Sequence, residues 1–283
     1  MEFRILGPLR AGVQGEPVDL GGGRARLVLA ALLLEADRPV PVERLVDVVW
    51  GDRPPSSART QIAIAVSGLR RAFRDAGRAR VIETVRPGYR IPAGAAAIDA
   101  AAAEELIGAA RRDAAAGRLP QAAGRFRAAL ALWRGPVLDG LDRPRIEAGA
   151  LRWEELRLAA VEEAAHVDLL LGRHRELIGE LIGPVGEHPY RERLRGLLMT
   201  ALARAGRPSE ALDVYREGRR LLAADLGLEP GRELRELQLG ILRDDPLVRP
   251  GTPGVPRRRG RALRWRRTAL SQREASSPTC GSS

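Results

Sequence analysis

Between Val42 and Trp50 the apolar residues Val42, Leu45, Val46, Val49 and Trp50 fall at i, i+3, i+4, i+7 and i+8. That spacing puts them in one stripe on a helix with a single buried face. Gly51 and then Pro54-Pro55 end it. The strongly apolar run from Arg26 to Ala36 predicts a helix before it, stopping ahead of Pro39. A third helix follows, with Ser56 or Ser57 available as its cap and Ile62, Val66, Leu69 and Phe73 as its buried seam. Upstream, Phe3 and Ile5 flank Arg4 and Val18 and Leu20 flank Asp19, with Gly12 and Gly15 between, which predicts short antiparallel strands. Downstream, Val81-Ile82-Glu83-Thr84-Val85 and Tyr89-Arg90-Ile91 are two β runs joined by Arg86-Pro87-Gly88. Pro then Gly suits the centre of a type II turn, where Gly supplies the positive φ. Strands, three helices and a closing hairpin describe an α+β winged helix-turn-helix over residues 1–94.

The pattern changes after Pro92–Ala97, a small-residue stretch expected to be a hinge. From Asp99, placed to cap the next helix, to about Asp245, helix follows helix with short Gly/Pro breaks. Gly117-Arg118-x-x-Gln121-Ala122 with Phe126-Arg127 matches Gly206-Arg207-x-x-Glu210-Ala211 with Tyr215-Arg216. A weaker copy at Gly172-Arg173, with Glu176, lies 34 residues before Gly206, the tetratricopeptide period. In such a unit Gly breaks the helix pair, Ala allows close approach and the aromatic fills the groove between helices. Residues 95–247 are therefore expected to be an all-α, tetratricopeptide-like repeat domain, a module whose concave face commonly binds protein. The chain as a whole is mainly α.

Charge sorts along the same divisions. The formal net charge is +11, but residues 1–95 hold 15 Arg against 10 acids and residues 96–245 hold 23 against 25. Residues 246–283 hold 9 against 1. A basic head, a neutral middle and a basic tail suggest a polyanion as partner of the head. Arg257-Arg258-Arg259 and Arg261 to Arg267, among Pro, Gly and Ser, predict a disordered Arg-rich tail over 248–283. It is either a solvated end or a non-specific attraction for DNA.

Much chemistry is excluded. There is no lysine, so neither a P-loop nor a Schiff-base lysine can exist. The one cysteine, Cys280, rules out a disulfide framework and a thiolate zinc site. His166, His174 and His188 lack metal-ligand spacing, and no G-x-S-x-G occurs. No catalytic residue, cofactor or metal is expected, and an enzyme is the weakest reading. The longest apolar run, Leu27 to Leu34, is too short to span a bilayer, and the start Met1-Glu2-Phe3-Arg4 is unlike a signal peptide. A soluble cytoplasmic protein, associated with the nucleoid and not with membrane, is the expectation.

At 100° per residue, Thr60, Ile64, Ser67 and Arg71 lie opposite the seam of the third helix, with Arg74 alongside. Arg59 and Arg70 lie nearer its edges, where long side chains still reach outward. Arg bonds guanine bidentately or clamps phosphate, and hydroxyls and Gln61 add shorter contacts, so this face suits the major groove. The hairpin would lay Thr84, Arg86 and Arg90 on phosphates or in the minor groove.

Val49-Trp50-Gly51-Asp52, Pro54-Pro55-Ser56, Val66-Ser67-Gly68-Leu69-Arg70-Arg71-Ala72-Phe73 and Thr84-Val85-Arg86-Pro87-Gly88-Tyr89 resemble the OmpR-type DNA-binding domain. In particular they resemble its version in Streptomyces antibiotic regulatory proteins. The helical region resembles the bacterial transcriptional activation domain of that family. The carriers there are Ala129-Leu130-Ala131-Leu132-Trp133-Arg134-Gly135, His188-Pro189-Tyr190-Arg191-Glu192-Arg193-Leu194 and Leu226-Gly227-Leu228-Glu229-Pro230. The resemblance implies a transcriptional activator of a secondary-metabolite (antibiotic) cluster, bound to direct repeats in double-stranded promoter DNA as a homodimer and touching RNA polymerase. The DNA-binding set it supports is Arg59, Thr60, Gln61, Ser67, Arg70, Arg71, Arg74, Thr84, Arg86, Tyr89 and Arg90. Two features depart from the family: Gly68 stands where an Arg is usual, and Ile62-Ala63-Ile64-Ala65 is more apolar. Loss of one phosphate-contacting Arg weakens binding uniformly and lowers the salt slope by about one. Dimerisation and sensing of a ligand or partner remain open roles for the helical domain. The rival reading is a helical-repeat protein–protein adaptor whose winged helix does not read DNA.

Overall fold

The computed structural model describes residues 1–245 except Ala93 and Asp142. The expected Arg-rich tail lies outside the described residues. In chain order the elements are β1 (Glu2–Arg4), β2 (Arg10–Val13), β3 (Glu16–Pro17), α1 (Gly23–Leu34), β4 (Val40–Pro41), α2 (Val42–Trp50) and α3 (Ala58–Asp75). The hairpin β5 (Glu83–Val85) and β6 (Gly88–Arg90) follows, then β7 (Ala97–Ile98). The helical region is α4 (Asp99–Ala115), α5 (Leu119–Leu130), α6 (Pro144–Leu170), α7 (His174–Glu187), α8 (Glu192–Arg204), α9 (Pro208–Leu221) and α10 (Arg232–Leu242). A π-helical turn at Leu222–Leu226 continues α9. A mainly α chain, with a winged helix-turn-helix ahead of an all-α repeat array, is what the periodicities predict.

Two small sheets frame the three-helix core. One has the order β3-β2-β1-β7 and the other β4-β6-β5. The strand expected around Val18 to Leu20 sits slightly earlier, at Glu16–Pro17, where Val13 opposes Glu16. The end of the stretch expected to be a hinge is paired: Glu2 faces Ala97 and Phe3 faces Ile98 in a parallel pair. Asp99 does not cap α4 with its side chain. Its carboxylate accepts the backbone N–H of Ile5 at 2.8 Å and of Leu6 at 3.3 Å, and pairs with Arg134 at 2.6 Å. Local sequence favours a cap at Asp99, but the two unpaired amides of the β1 end claim it first.

The repeat is real and its punctuation is uniform. Gly117, Gly172 and Gly206 all have φ near the left-handed value, +75°, +79° and +78°. Each closes a helix by the same 6→1 bond: Arg118 to Asp113, Arg173 to Asp168 and Arg207 to Leu202, all 2.9 Å. In the first two repeats the carboxylate at the helix end is itself buried and takes the arginine that follows the glycine. Phe126, Leu181 and Tyr215 occupy one position of the three units, and all are buried. Leu181 explains why the middle copy reads weakly, since an aliphatic residue fills the aromatic slot.

Gly117 and Gly172 are 55 residues apart, not 34. The excess is the loop 131–143 and the first turns of α6, and this segment meets the winged helix. Arg134 N–H donates to the Leu6 carbonyl at 2.8 Å and Leu138 N–H to the Ile5 carbonyl at 2.9 Å. Arg145 pairs with Asp47 of α2. One apolar core therefore runs from Phe3 and α1–α3 into α4, α5 and much of α6, taking in Ile107, Phe126 and Trp153. A second core, around Leu181, Leu197, Tyr215 and Ile241, holds α7–α10. That α6 covering explains α1: Leu27 to Leu33 are all buried, because the helix has neighbours on opposite sides.

Candidate nucleic-acid interface

α3 is held by its seam and presents the rest. Ile62, Val66, Leu69 and Phe73 are each about 1% exposed, and Phe73 meets Phe3 edge-on at 5.6 Å between ring centres. Arg59, Thr60, Ser67, Arg71 and Arg74 are exposed. Ser57 is the N-cap, but its hydroxyl accepts from the Gln61 side-chain amide at 2.8 Å and makes no backbone capping bond. The Gln61 carbonyl oxygen in turn accepts from Arg24 of α1 at 2.6 Å. Arg24 also lies over the Trp50 ring, 5.8 Å from its centre. Arg59 pairs with Glu43 of α2 at 2.6 Å, with both side chains largely in solvent, where such a pair is worth little. A Cβ on Gly68 would meet nothing within 4 Å, so packing does not demand glycine there.

The hairpin is braced against α3 by one residue. Arg70 donates to the Ile82 carbonyl at 3.1 Å and to the Thr84 hydroxyl at 2.8 Å, and stacks 5.7 Å from the Tyr89 ring centre. Thr84 and Tyr89 are cross-strand partners, as are Glu83 and Arg90. Arg90 pairs with Glu83 at 2.7 Å, and that hydrogen bond raises its pKa above the ordinary arginine value. Opposite charges facing across an antiparallel pair reinforce the ladder. The expected type II turn is not formed. Val85 pairs with Gly88, so the connection is Arg86-Pro87, with a cis peptide between them. Gly88 is a strand residue without positive φ. Glycine is needed there because a Cβ would lie 1.9 Å from the Val40 carbonyl oxygen.

Pairing separates the arginines more sharply than counting them. Among the described residues, no carboxylate pairs with Arg71, Arg74, Arg78, Arg80 or Arg86, all of them exposed. At the start of α9 and along α9 and α10 most exposed arginines have a carboxylate beside them, Arg207–Glu210, Arg216–Asp213, Arg219–Glu229, Arg220–Glu217 and Arg232–Glu236, while Arg235 has no such ion pair among the described residues. Exposed arginines without an ion pair among the described residues also stand singly at Arg4, Arg10, Arg38, Arg53, Arg112, Arg175 and Arg235. Those along α3 and the segment leading to the hairpin instead form a run of five, where phosphates would serve as their counter-ions.

Of the eleven residues expected to meet DNA, Thr60, Ser67, Arg71, Arg74, Thr84 and Arg86 are exposed on α3 or the hairpin, and Arg59 is exposed but paired. Gln61, Arg70, Tyr89 and Arg90 are half-buried and engaged within the protein. Sequence reasoning passed over Arg78 and Arg80, although their place between α3 and β5 was a usable signal. It also passed over Arg24, which no sequence spacing connects to Gln61, 37 residues away. Among the described residues no cluster of His, Cys, Asp or Glu is placed to hold a metal, and no helix is long and apolar enough to cross a membrane.

A three-helix core with a braced hairpin, continuous with a tetratricopeptide-like array, defines the class: a winged helix-turn-helix protein carrying a fused helical repeat domain. Two family models match in that order, "Transcriptional regulatory protein, C terminal" over residues 15–91 and "Bacterial transcriptional activator domain" over 98–242. The chain is 38% identical over 264 residues to the regulatory protein DnrI of Streptomyces peucetius, covering 90% of this chain and 97% of DnrI. It is 42% identical over 249 residues to the regulatory protein AfsR of Streptomyces coelicolor, covering 88% of this chain but 25% of AfsR. The chain thus spans about a quarter of AfsR. The solved structure of Mycobacterium tuberculosis EmbR, in complex with a low affinity phosphopeptide, has a TM-score of 0.83 at 40% identity, covering 87% of this chain and 65% of that one. The chain belongs to the Streptomyces antibiotic regulatory protein family of transcriptional regulators.

Proposed function

We propose that this protein is a sequence-specific DNA-binding transcriptional activator of a secondary-metabolite gene cluster, acting in the cytoplasm on the nucleoid. The observation that carries this is the row of unpaired arginines beside the exposed hydroxyls of Thr60 and Ser67 on α3. α3 enters the major groove, with Thr60, Ser67, Arg71 and Arg74 toward base edges and phosphates. Arg86, at the hairpin tip, lies on the adjacent backbone. Arg70, Thr84, Tyr89 and Arg90 act chiefly by holding the hairpin at a fixed distance from α3. Two copies occupy direct repeats in the promoter and contact RNA polymerase there. The shared core of the winged helix and α4–α6 supports a rigid handover from the DNA to that contact.

Gel-shift titration on the promoters flanking its own gene, at two salt concentrations with competitor DNA, tests the reading. Competitor-resistant binding at direct repeats is the expected result. No binding at either salt would transfer the function to the helical array as a protein adaptor. Arg71→Ala is expected to weaken binding by ~1–3 kcal/mol and to relax the preference at one base position. Equal weakening on every sequence would reassign Arg71 to a phosphate. Arg86→Ala is expected to lower the salt slope by about one while leaving sequence preference intact. An unchanged slope would remove the hairpin from the interface.

A further inference from the structure

The outer face of α3 is polar except for one large side chain. Ile64 is 64% exposed, and it shares that face with Thr60, Ser67 and Arg71, all exposed. At 100° per residue these four point away from the buried seam. Leaving an isoleucine in water forgoes the favourable transfer that burial would bring. Among the described residues nothing covers it. Ile64 stands on the rim of an open hollow of about 650 Å³, lined by Gly22, Gly23, Arg24, Gln61 and Ala65. The hollow is also held open, because Gln61 is tied at both ends of its amide, to Arg24 and to Ser57. Folding Gln61 over Ile64 would break both bonds. A β-branched side chain on a helix is nearly confined to one χ1 rotamer, so a contact made by Ile64 costs little further entropy.

The base edges of the major groove offer donors, acceptors and one apolar group, the C5-methyl of thymine. We propose that Ile64 is a specificity-determining residue that selects thymine at one position of the DNA site by packing against this methyl. The proposal rests on the DNA-binding reading above and adds to it the base and the atom recognised. Arg24 and Gln61 make the facing wall polar, and Ile64 is the one large apolar side chain among the described residues lining the hollow, beside the half-buried Ala25 and Ala65. The neighbouring hydroxyls of Thr60 and Ser67 are free for polar edges.

The test removes the methyl and nothing else. Sites are selected from a random duplex library with the full-length protein, and the enriched duplex is remade with dU replacing each dT in turn. The exchange keeps every hydrogen-bonding group of the base. Burial of one methyl predicts that a single dU position weakens wild-type binding about fourfold. Ile64→Ala, which swaps an exposed residue for a better helix former, is expected to fold normally, to bind more weakly and to lose all sensitivity at that position. Ile64→Val, still branched and apolar, is expected to retain most of it. An enriched site at which no dU matters, or at which Ile64→Ala loses as much as wild type, overturns this assignment and leaves DNA binding standing. Failure to enrich any sequence overturns the DNA reading and this inference together.

Discussion

Gly88→Ala is expected to unfold the winged helix at temperatures where the native protein is intact. The added methyl would sit 1.9 Å from the Val40 carbonyl oxygen, 2.8 Å from its carbonyl carbon and 2.9 Å from the Pro41 Cα. All three are backbone atoms of β4, so no rotamer change relieves the contact. β4 must leave β6, giving up the pairing of Val40 with Tyr89 and Pro41 with Gly88. Val40 is almost wholly buried, so the displaced strand also opens the core. Overpacking that forces backbone apart costs on the order of 3 kcal/mol. In a chain of this size that lowers the thermal midpoint by roughly 6–12 °C. Calorimetry or circular dichroism checks it, and a midpoint within a degree of native would mean that β4 yields freely.

Asp99→Ala is expected to loosen the whole first core. Ile5 and Leu6 are fully buried, and their amides have the Asp99 carboxylate as acceptor. Each orphaned buried N–H costs ~1–3 kcal/mol. Arg134 loses its carboxylate too, but it is partly exposed and can turn to water. A total of about 3–5 kcal/mol follows. Asp99→Asn keeps an acceptor oxygen and should recover part of that. Because Phe3, α1 and Trp153 share one core, denaturant unfolding followed by near-UV and far-UV signals should remain coincident in both variants. Separate transitions for the winged helix and α4–α6 would contradict that shared core.

These two positions mark the limit of what the sequence displayed. The stripe of α2, the seam of α3 and the Gly-Arg punctuation of the repeat were all legible, and each reappears where its spacing put it. Gly88 was legible as necessary but for another reason: a turn was expected to require its φ, whereas a neighbouring strand requires its missing Cβ. Asp99 looked like a helix cap because capping is a local preference, and a partner more than ninety residues away won it. Arg70 projects from the edge of α3, which is all that its spacing shows. The carbonyl and hydroxyl it grips belong to the next hairpin.

By itself the sequence determined the three helices of the head and their order, the winged helix, the repeat and the basic character of α3, because periodicity and turn residues act within a few positions along the chain. Only the tertiary structure decided which arginines lack an ion pair, why Gly88 has no side chain, and that Ala97, at the end of the expected hinge, pairs in a strand. It also decided that the loop 131–143 fastens the helical array to the winged helix. Those outcomes depend on groups that meet in space after long excursions of the chain, and the spacing of residues carries no record of such meetings.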